Sequence, residues 1–392
     1  MNIPDFKNTE VAFSSYSDRS LRKTAKMFQL MNVQWLVSLS SSLGLLALKL
    51  RLPLVKPIIR ATIFDQFCGG ESLEEAKPTI AELAKFKIKS VMDYGAEGKT
   101  SIADFDYSYQ EIMNAIQFSK DEDDVPIVSL KITGLAPFNL LEKLQSGTAL
   151  SQEENNIFST LKDRLFEIGA LAQEKGVGIF VDAEESWIQD AIDDLARRIQ
   201  MVCNREKVII YNTYQMYRHD RLEYLKASHN HALKNEYLLG AKLVRGAYMD
   251  KERSRAAEHG YQSPIQVDKE ATDRDYNEAI SYCVENVESI ASFNASHNED
   301  SNMLQAQLME QKNVKTNHPH LNFCQLYGMS DNLTYNLAHK GFNAMKYLPY
   351  GKIKDVIPYL IRRAQENTSI SSEMGRESLL INNELMRRES VK

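Results

Sequence analysis

Residues 177–212 read VGIFVDAEESWIQDAIDDLARRIQMVCNREKVIIYN. The stretch opens on a short apolar run, 177–182, continues through a helix-like segment, 186–203, and closes on a second apolar run, 207–212. Neither run alternates cleanly between apolar and polar residues, which is how parallel strands covered on both faces read. The same unit recurs in both directions. Further strands are expected at 88–93, 127–133, 240–245, 289–295, 321–326 and 342–347, with helices such as 152–175, which ends at Gly176. Eight strands alternating with helices favour a closed α/β architecture, a (β/α)8 TIM-type barrel, over an open doubly wound sheet. No GxGxxG follows the first strand, which argues against a dinucleotide site of the open-sheet kind. The expected layout is a helical lead-in over 1–80, the barrel over 81–370 and a helical tail over 371–392.

A barrel places its chemistry at the C-terminal ends of its strands. Lys131 stands at the end of strand two, Asp182-Ala183-Glu184-Glu185 at strand three, and Asn212 to Gln215 at strand four. Strand five runs from Lys242 through Arg245-Gly246-Ala247-Tyr248, strand six reaches Ser296-His297, and strand eight carries Lys346-Tyr347. One charged residue beside a strand end is ordinarily a solvated loop residue; six of eight ends argue for a site. Near the C-terminus, KDVIPYLIRRAQEN (354–367) has helical spacing. It gathers Tyr359, Arg362, Arg363 and Glu366 on one arc and Ile357, Leu360 and Ile361 opposite. Such a stripe is either a solvated face or a pair of guanidinium groups aimed at a carboxylate, which arginine holds bidentately.

Composition narrows the classes. The chain has 392 residues, 47 Lys+Arg against 53 Asp+Glu and a net charge of −6, with no basic block to suggest nucleic acid. Cys68, Cys203, Cys283 and Cys324 are far apart and form no CxxC pair, so a disulfide framework or zinc site is not expected and a reducing, cytoplasmic setting is. His318-Pro319-His320 reads as a loop, and no metal is assigned. The N-terminus lacks a basic region followed by an apolar run, so no secretory signal is expected. The segment 35–50, WLVSLSSSLGLLALKL, is too short and serine-rich to span a bilayer; it suits a packed helix or one resting on a membrane surface.

Several segments closely resemble the proline dehydrogenase family: DAEES at 182–186, KLVRGAYMDKERSRAAEHGYQSPIQVDKEATD at 242–273, NASHNED at 294–300, QLYGM at 325–329, KYLPYG at 346–351 and YLIRRAQEN at 359–367. They occur in family order over roughly residues 56–370, and KLVRGAY is similar to the monofunctional, mitochondrial-type branch. The resemblance implies FAD as cofactor, L-proline as substrate, Δ1-pyrroline-5-carboxylate as product and a quinone as electron acceptor. Lys131, Arg362 and Arg363 would bind the substrate carboxylate, with Glu97 steadying Arg362. Tyr248, Tyr347 and Tyr359 would wall the ring, and Asp182 would orient Tyr347. Lys242 replaces the arginine found near flavin N5 in the bacterial branch and lacks its bidentate fork. Ala183, Arg245, Gly246, Ala247, Tyr248, Ser296 and His297 would contact the FAD, and Glu366 its adenosine end. Asn212 fills a slot usually given to glutamine, with Gln215 further along, and the sequence leaves open which of them reaches the flavin.

No aldehyde-dehydrogenase domain fits in the remaining chain, so a separate pyrroline-5-carboxylate dehydrogenase is expected downstream. A quinone dissolves in lipid, so the protein is expected on the inner membrane face, at least transiently. The candidate contacts are 35–50 and a tail bearing Leu379, Leu380, Leu385, Met386, Arg387 and Arg388, with the tail favoured. The competing readings are a flavin barrel of methylenetetrahydrofolate reductase type and a barrel without catalysis that binds membrane surfaces.

Overall fold

Between Gly178 and Gln215 the chain forms a strand, a helix and a second strand, and the other strands repeat the pattern. The computed structural model describes residues 3–31, 57, 59–95, 100–360 and 371–391. Its eight strands are β1 Lys89–Tyr94, β2 Ile127–Leu130, β3 Gly178–Val181, β4 Ile210–Gln215, β5 Leu239–Val244, β6 Ile290–Ala295, β7 Leu321–Leu326 and β8 Ala344–Tyr350. They pair in parallel, in sequence order, and close on themselves through β1 and β8. That seam is paired from Lys89↔Met345 to Tyr94↔Tyr350.

Successive strand residues point to opposite faces, and the sequence uses both. Phe180 packs inside the barrel with Val91, Tyr211, Phe293 and Met345. Its neighbours Ile179 and Val181 face outward onto helix Ser186–Cys203, meeting Ile188, Ile192, Leu195 and Ile199. Those four recur at the spacing of one helix face, and burying each contributes roughly 1.5–3 kcal/mol.

Three strands differ from the sequence reading by more than one residue. β4 starts three residues late because Asn204 intervenes. Its side-chain oxygen accepts from the N–H groups of Ile209 and Ile210 at 2.9 and 2.8 Å, and its amide donates to Ile210 O and Leu238 O. Pairing with β3 therefore begins only at Ile179↔Ile210. β2 stops at Leu130, since Ile132–Gly134 turns as a 3-10 helix. β8 runs on to Tyr350 because β1 continues to pair with it.

Helices Thr9–Ala12 and Asp18–Met31, a helical segment at 353–360 and the tail helix Ser371–Ser390 share one apolar cluster beside the barrel, built on Phe13, Leu21, Phe64, Leu360 and Ile381. This corrects the expectation for part of the tail. Leu380 is 4 % exposed, and Leu385 packs against the same cluster. Arg388 donates to Phe13 O and Tyr16 O at 2.8 Å each, and Arg387 and Arg388 both bond Glu384. These residues bind the lead-in and are not turned to lipid; Leu379 and Met386 stay exposed. Residues 35–50 lie outside the described residues. Among those described, no helix is long and apolar enough to cross a membrane.

Candidate active site

At the C-terminal rim, the inward register collects Asp93 from β1, Ser129 from β2 and Lys131 just past it, Asp182 just past β3, Lys242 from β5 and Tyr347 from β8. Lys242 Nζ lies 2.6 Å from Asp182 Oδ1. The Tyr347 hydroxyl donates to Asp182 Oδ2 at 2.7 Å and lies 2.9 Å from Ser129 Oγ. The Lys242 ammonium also stands 4.8 Å from the ring centroids of both Phe180 and Tyr347, so its charge is held by a carboxylate and two π faces. Below it, Phe180, Tyr211 and Phe293 pack edge to face, 4.7 to 5.7 Å apart, and close the barrel floor.

The carboxylates differ in charge state because their neighbours differ. Burial pushes Asp182 up, but Lys242 and Lys131 outweigh it and hold its carboxyl below the usual range. Burial lifts Asp93 to about 6, with Lys131 opposing and Asp182 adding. Burial lifts Glu184 to about 7, against bonds from the Thr133 N–H and hydroxyl. Burial, followed by the nearby Asp182 and Asp93, drives the Tyr347 phenol far above its ordinary value, so it stays protonated. The site thus carries one firmly ionised carboxylate and two poised near neutrality, a pattern that functional clefts share.

The rim from β3 to β6 holds the expected cofactor positions. Ala183 is half-buried, and Gln215 is buried on the same register as Tyr211, donating to Glu184 O at 2.8 Å. Arg245 donates to Asp273 and, at 2.6 Å, to Ser296 Oγ, with its guanidinium over the Tyr276 ring. Gly246 and Ala247 are exposed, immediately ahead of helix Met249–His259, whose N-cap is the half-buried Tyr248. Gly246 has φ +137°, and a Cβ there would come within 2.4 Å of the Tyr217 ring, so only glycine lets the chain lie this flat. His297 Nδ1 is 2.8 Å from Ser330 Oγ.

Asn212 is the exception. It occupies the outward register, where its amide donates to Asp193 Oδ1 at 2.8 Å beside the buried Arg221–Asp193 pair. Asn212 therefore faces away from the barrel interior, against the expectation that placed it at the site, while Gln215 lies on the inward register. Tyr359 is 4 % exposed and packs in the cluster that holds Ile357 and Leu360, so the face it shares with the arginines is not a solvated stripe at that point. Glu97, Arg362, Arg363 and Glu366 lie outside the described residues.

Sequence reasoning missed Asp93, Ser129 and Glu184 as members of the site. Asp93 carried the usable signal, an acidic residue at the end of strand one; Glu184 stood in DAEES without a role. His318 and His320 serve their loop: the His320 N–H donates to His318 Nδ1, and His320 Nδ1 lies 2.6 Å from Val287 O. Among the described residues, no group of three or more His, Cys, Asp or Glu is placed to hold a metal.

Residues 76–376 match the family described as proline dehydrogenase. The chain belongs to the proline dehydrogenase family. Among relatives, it is 32 % identical over 385 residues to mitochondrial proline dehydrogenase 1 of Dictyostelium discoideum, covering 86 % of this chain and 67 % of that one. It is 33 % identical to the carbapenem antibiotics biosynthesis protein CarD of Pectobacterium carotovorum, over 82 % of this chain and 83 % of that protein. Proline utilization A from Bdellovibrio bacteriovorus shares the fold, with a TM-score of 0.73 at 24 % identity over 94 % of this chain. The chain spans only 37 % of the length of that protein. Membership in the proline dehydrogenase family sets aside the reading as a barrel of folate-reductase type.

Proposed function

We propose that this chain oxidises L-proline to Δ1-pyrroline-5-carboxylate with FAD, that electrons pass on to a quinone, and that a separate dehydrogenase consumes the product. The observation that carries the reading is the chain of buried contacts Lys242–Asp182–Tyr347–Ser129 at the rim of a proline dehydrogenase family barrel. The rim fits a flavin dinucleotide. Exposed backbone at Gly246 and Ala247 precedes a helix N-terminus, which favours a pyrophosphate, with Arg245 next to it. Gln215, Ser296 and His297 add polar groups along the same edge. Bound FAD would supply the hydride acceptor.

The chain's own share is positioning. Lys131 offers a cation to the substrate carboxylate, joined in this reading by Arg362 and Arg363, with Glu97 steadying Arg362. Tyr347 is locked by Asp182 and Ser129 as one wall of the ring, and Tyr248 and Tyr359 are proposed as the others. Lys242, pinned by Asp182 between two aromatic faces, holds positive charge above the floor, where it would stabilise negative charge on a bound cofactor. Glu366 is assigned to the adenosine end. Transient contact with a membrane surface follows from the quinone, with the exposed Leu379 and Met386 as the tail's share.

The test is a visible spectrum of the purified full chain, recorded without air before and after L-proline. Flavin bands that bleach on addition support the reading. A folded, colourless protein that takes up no FAD would overturn it.

A further inference from the structure

The turn after β7, residues 328–331, is bonded from four directions. Gln66 of the lead-in donates to Gly328 O at 3.0 Å. Gly328 has φ +77°, and a Cβ there would fall 2.0 Å from Gln66 O, so the lead-in and the turn are in backbone contact. Lys346, 1 % exposed and next to Tyr347, donates to Met329 O at 2.6 Å and pairs with Asp331 at 2.7 Å. Tyr16 of the lead-in donates to the other Asp331 oxygen at 2.7 Å. Ser330 stands between them in the left-handed region, φ 51° and ψ 46°, which costs a residue with a Cβ and persists only where surroundings impose it.

What holds Ser330 there is the tail. Its N–H donates to Glu377 Oε1 at 2.9 Å, and its hydroxyl lies 2.8 Å from His297 Nδ1. The neighbouring tail residue, Arg376, grips both oxygens of Glu299 at 2.5 and 2.7 Å, and Glu299 opens the helix two residues after His297. The tail helix therefore fastens the chain on both sides of His297: on Ser330 across the ring, and on Glu299 along the backbone.

We infer that Ser330 and Glu377 are positioning residues that fix the His297 imidazole toward the cofactor, so that the C-terminal helix sets how firmly the flavin is held. This rests on the reading of His297 as a flavin contact. Ser330 starts its helix in a backbone that glycine or asparagine adopts at less cost, and its hydroxyl makes no capping bond there; the hydroxyl lies instead 2.8 Å from the His297 ring nitrogen.

The test is the rate of FAD release from the loaded full chain, followed by recovery of flavin fluorescence, together with Tm. Ser330→Ala should speed release about tenfold, the order expected from one lost hydrogen bond, with Tm held within a few degrees. Ser330→Gly also relieves the backbone, so it should release FAD as fast with Tm equal or higher. Glu377→Gln keeps an acceptor and should fall between wild type and Glu377→Ala. In a His297→Ala background the serine change should add nothing. Release unchanged by Ser330→Ala while His297→Ala speeds it overturns the inference alone. Release unchanged by His297→Ala overturns the assignment of His297 and the inference with it. A protein that never binds FAD overturns the proposed function.

Discussion

Tyr347→Phe removes one oxygen and leaves Asp182, among the described residues, with Lys242 as its bonded side chain. The ring then loses its fixed tilt against the substrate, and kcat/KM for proline is expected to fall at least tenfold while FAD content holds. Asp93 gives a pH signature. Its folded pKa, about 6, is raised above the unfolded value of about 3.9, so the native state holds the proton more tightly. Stability from this group is therefore greatest below about pH 4, declines as pH rises to about 6, and is flat above. Asp93→Asn should remove that decline, which urea unfolding at pH 4.5 and 7.5 would measure as a difference from wild type. An activity inflection near pH 6 should vanish with it, because ionised Asp93 adds negative charge beside Lys131.

The tail helix Ser371–Ser390 shows what an element adds that single residues do not. Glu384 is fully buried, and bonds from Arg387 and Arg388 overcome the effect of burial and hold its carboxyl down at about 2. Its folded pKa is depressed, so its stabilisation is present above about pH 4.5 and is lost as pH falls toward 2. Arg388→Ala strips a buried carboxylate and two lead-in carbonyls of a donor and should cost about 1.5–3 kcal/mol or more. Arg387→Ala should cost less, since that side chain is 37 % exposed. Liposome binding unchanged in Arg388→Ala, with a clear loss of Tm, is the expected pair of results. The sequence could not separate these outcomes: an amphipathic helix with basic residues reads the same whether its partner is lipid or protein. It did carry all eight strands, because apolar runs between helices survive any detail of packing. The displaced start of β4 was not legible, since it depends on a side-chain amide, Asn204, bonding the backbone beyond it. Asn212 against Gln215 was likewise a question of register, which a shift of one residue inverts.

Across the whole molecule, lead-in and tail together close one flank of the barrel, packing Phe13, Leu21, Phe64 and Ile381 against Ile353, Val356 and Leu360 in one cluster. Ending the chain at residue 370 should lower Tm by at least several degrees and promote aggregation, measurable by calorimetry and light scattering. The seam between β1 and β8 has a kinetic meaning as well. Its partners, such as Val91 and Tyr347, lie roughly 250 residues apart along the chain, so the intervening loop must be organised before they meet. Neighbouring strands have far less chain to gather, and closure belongs to the slowest stage of refolding. Asp93 and Tyr347 both sit on that seam. Recovery of turnover after denaturation should therefore lag behind recovery of helical circular dichroism, because the ring is the last thing built and the chemistry needs it shut.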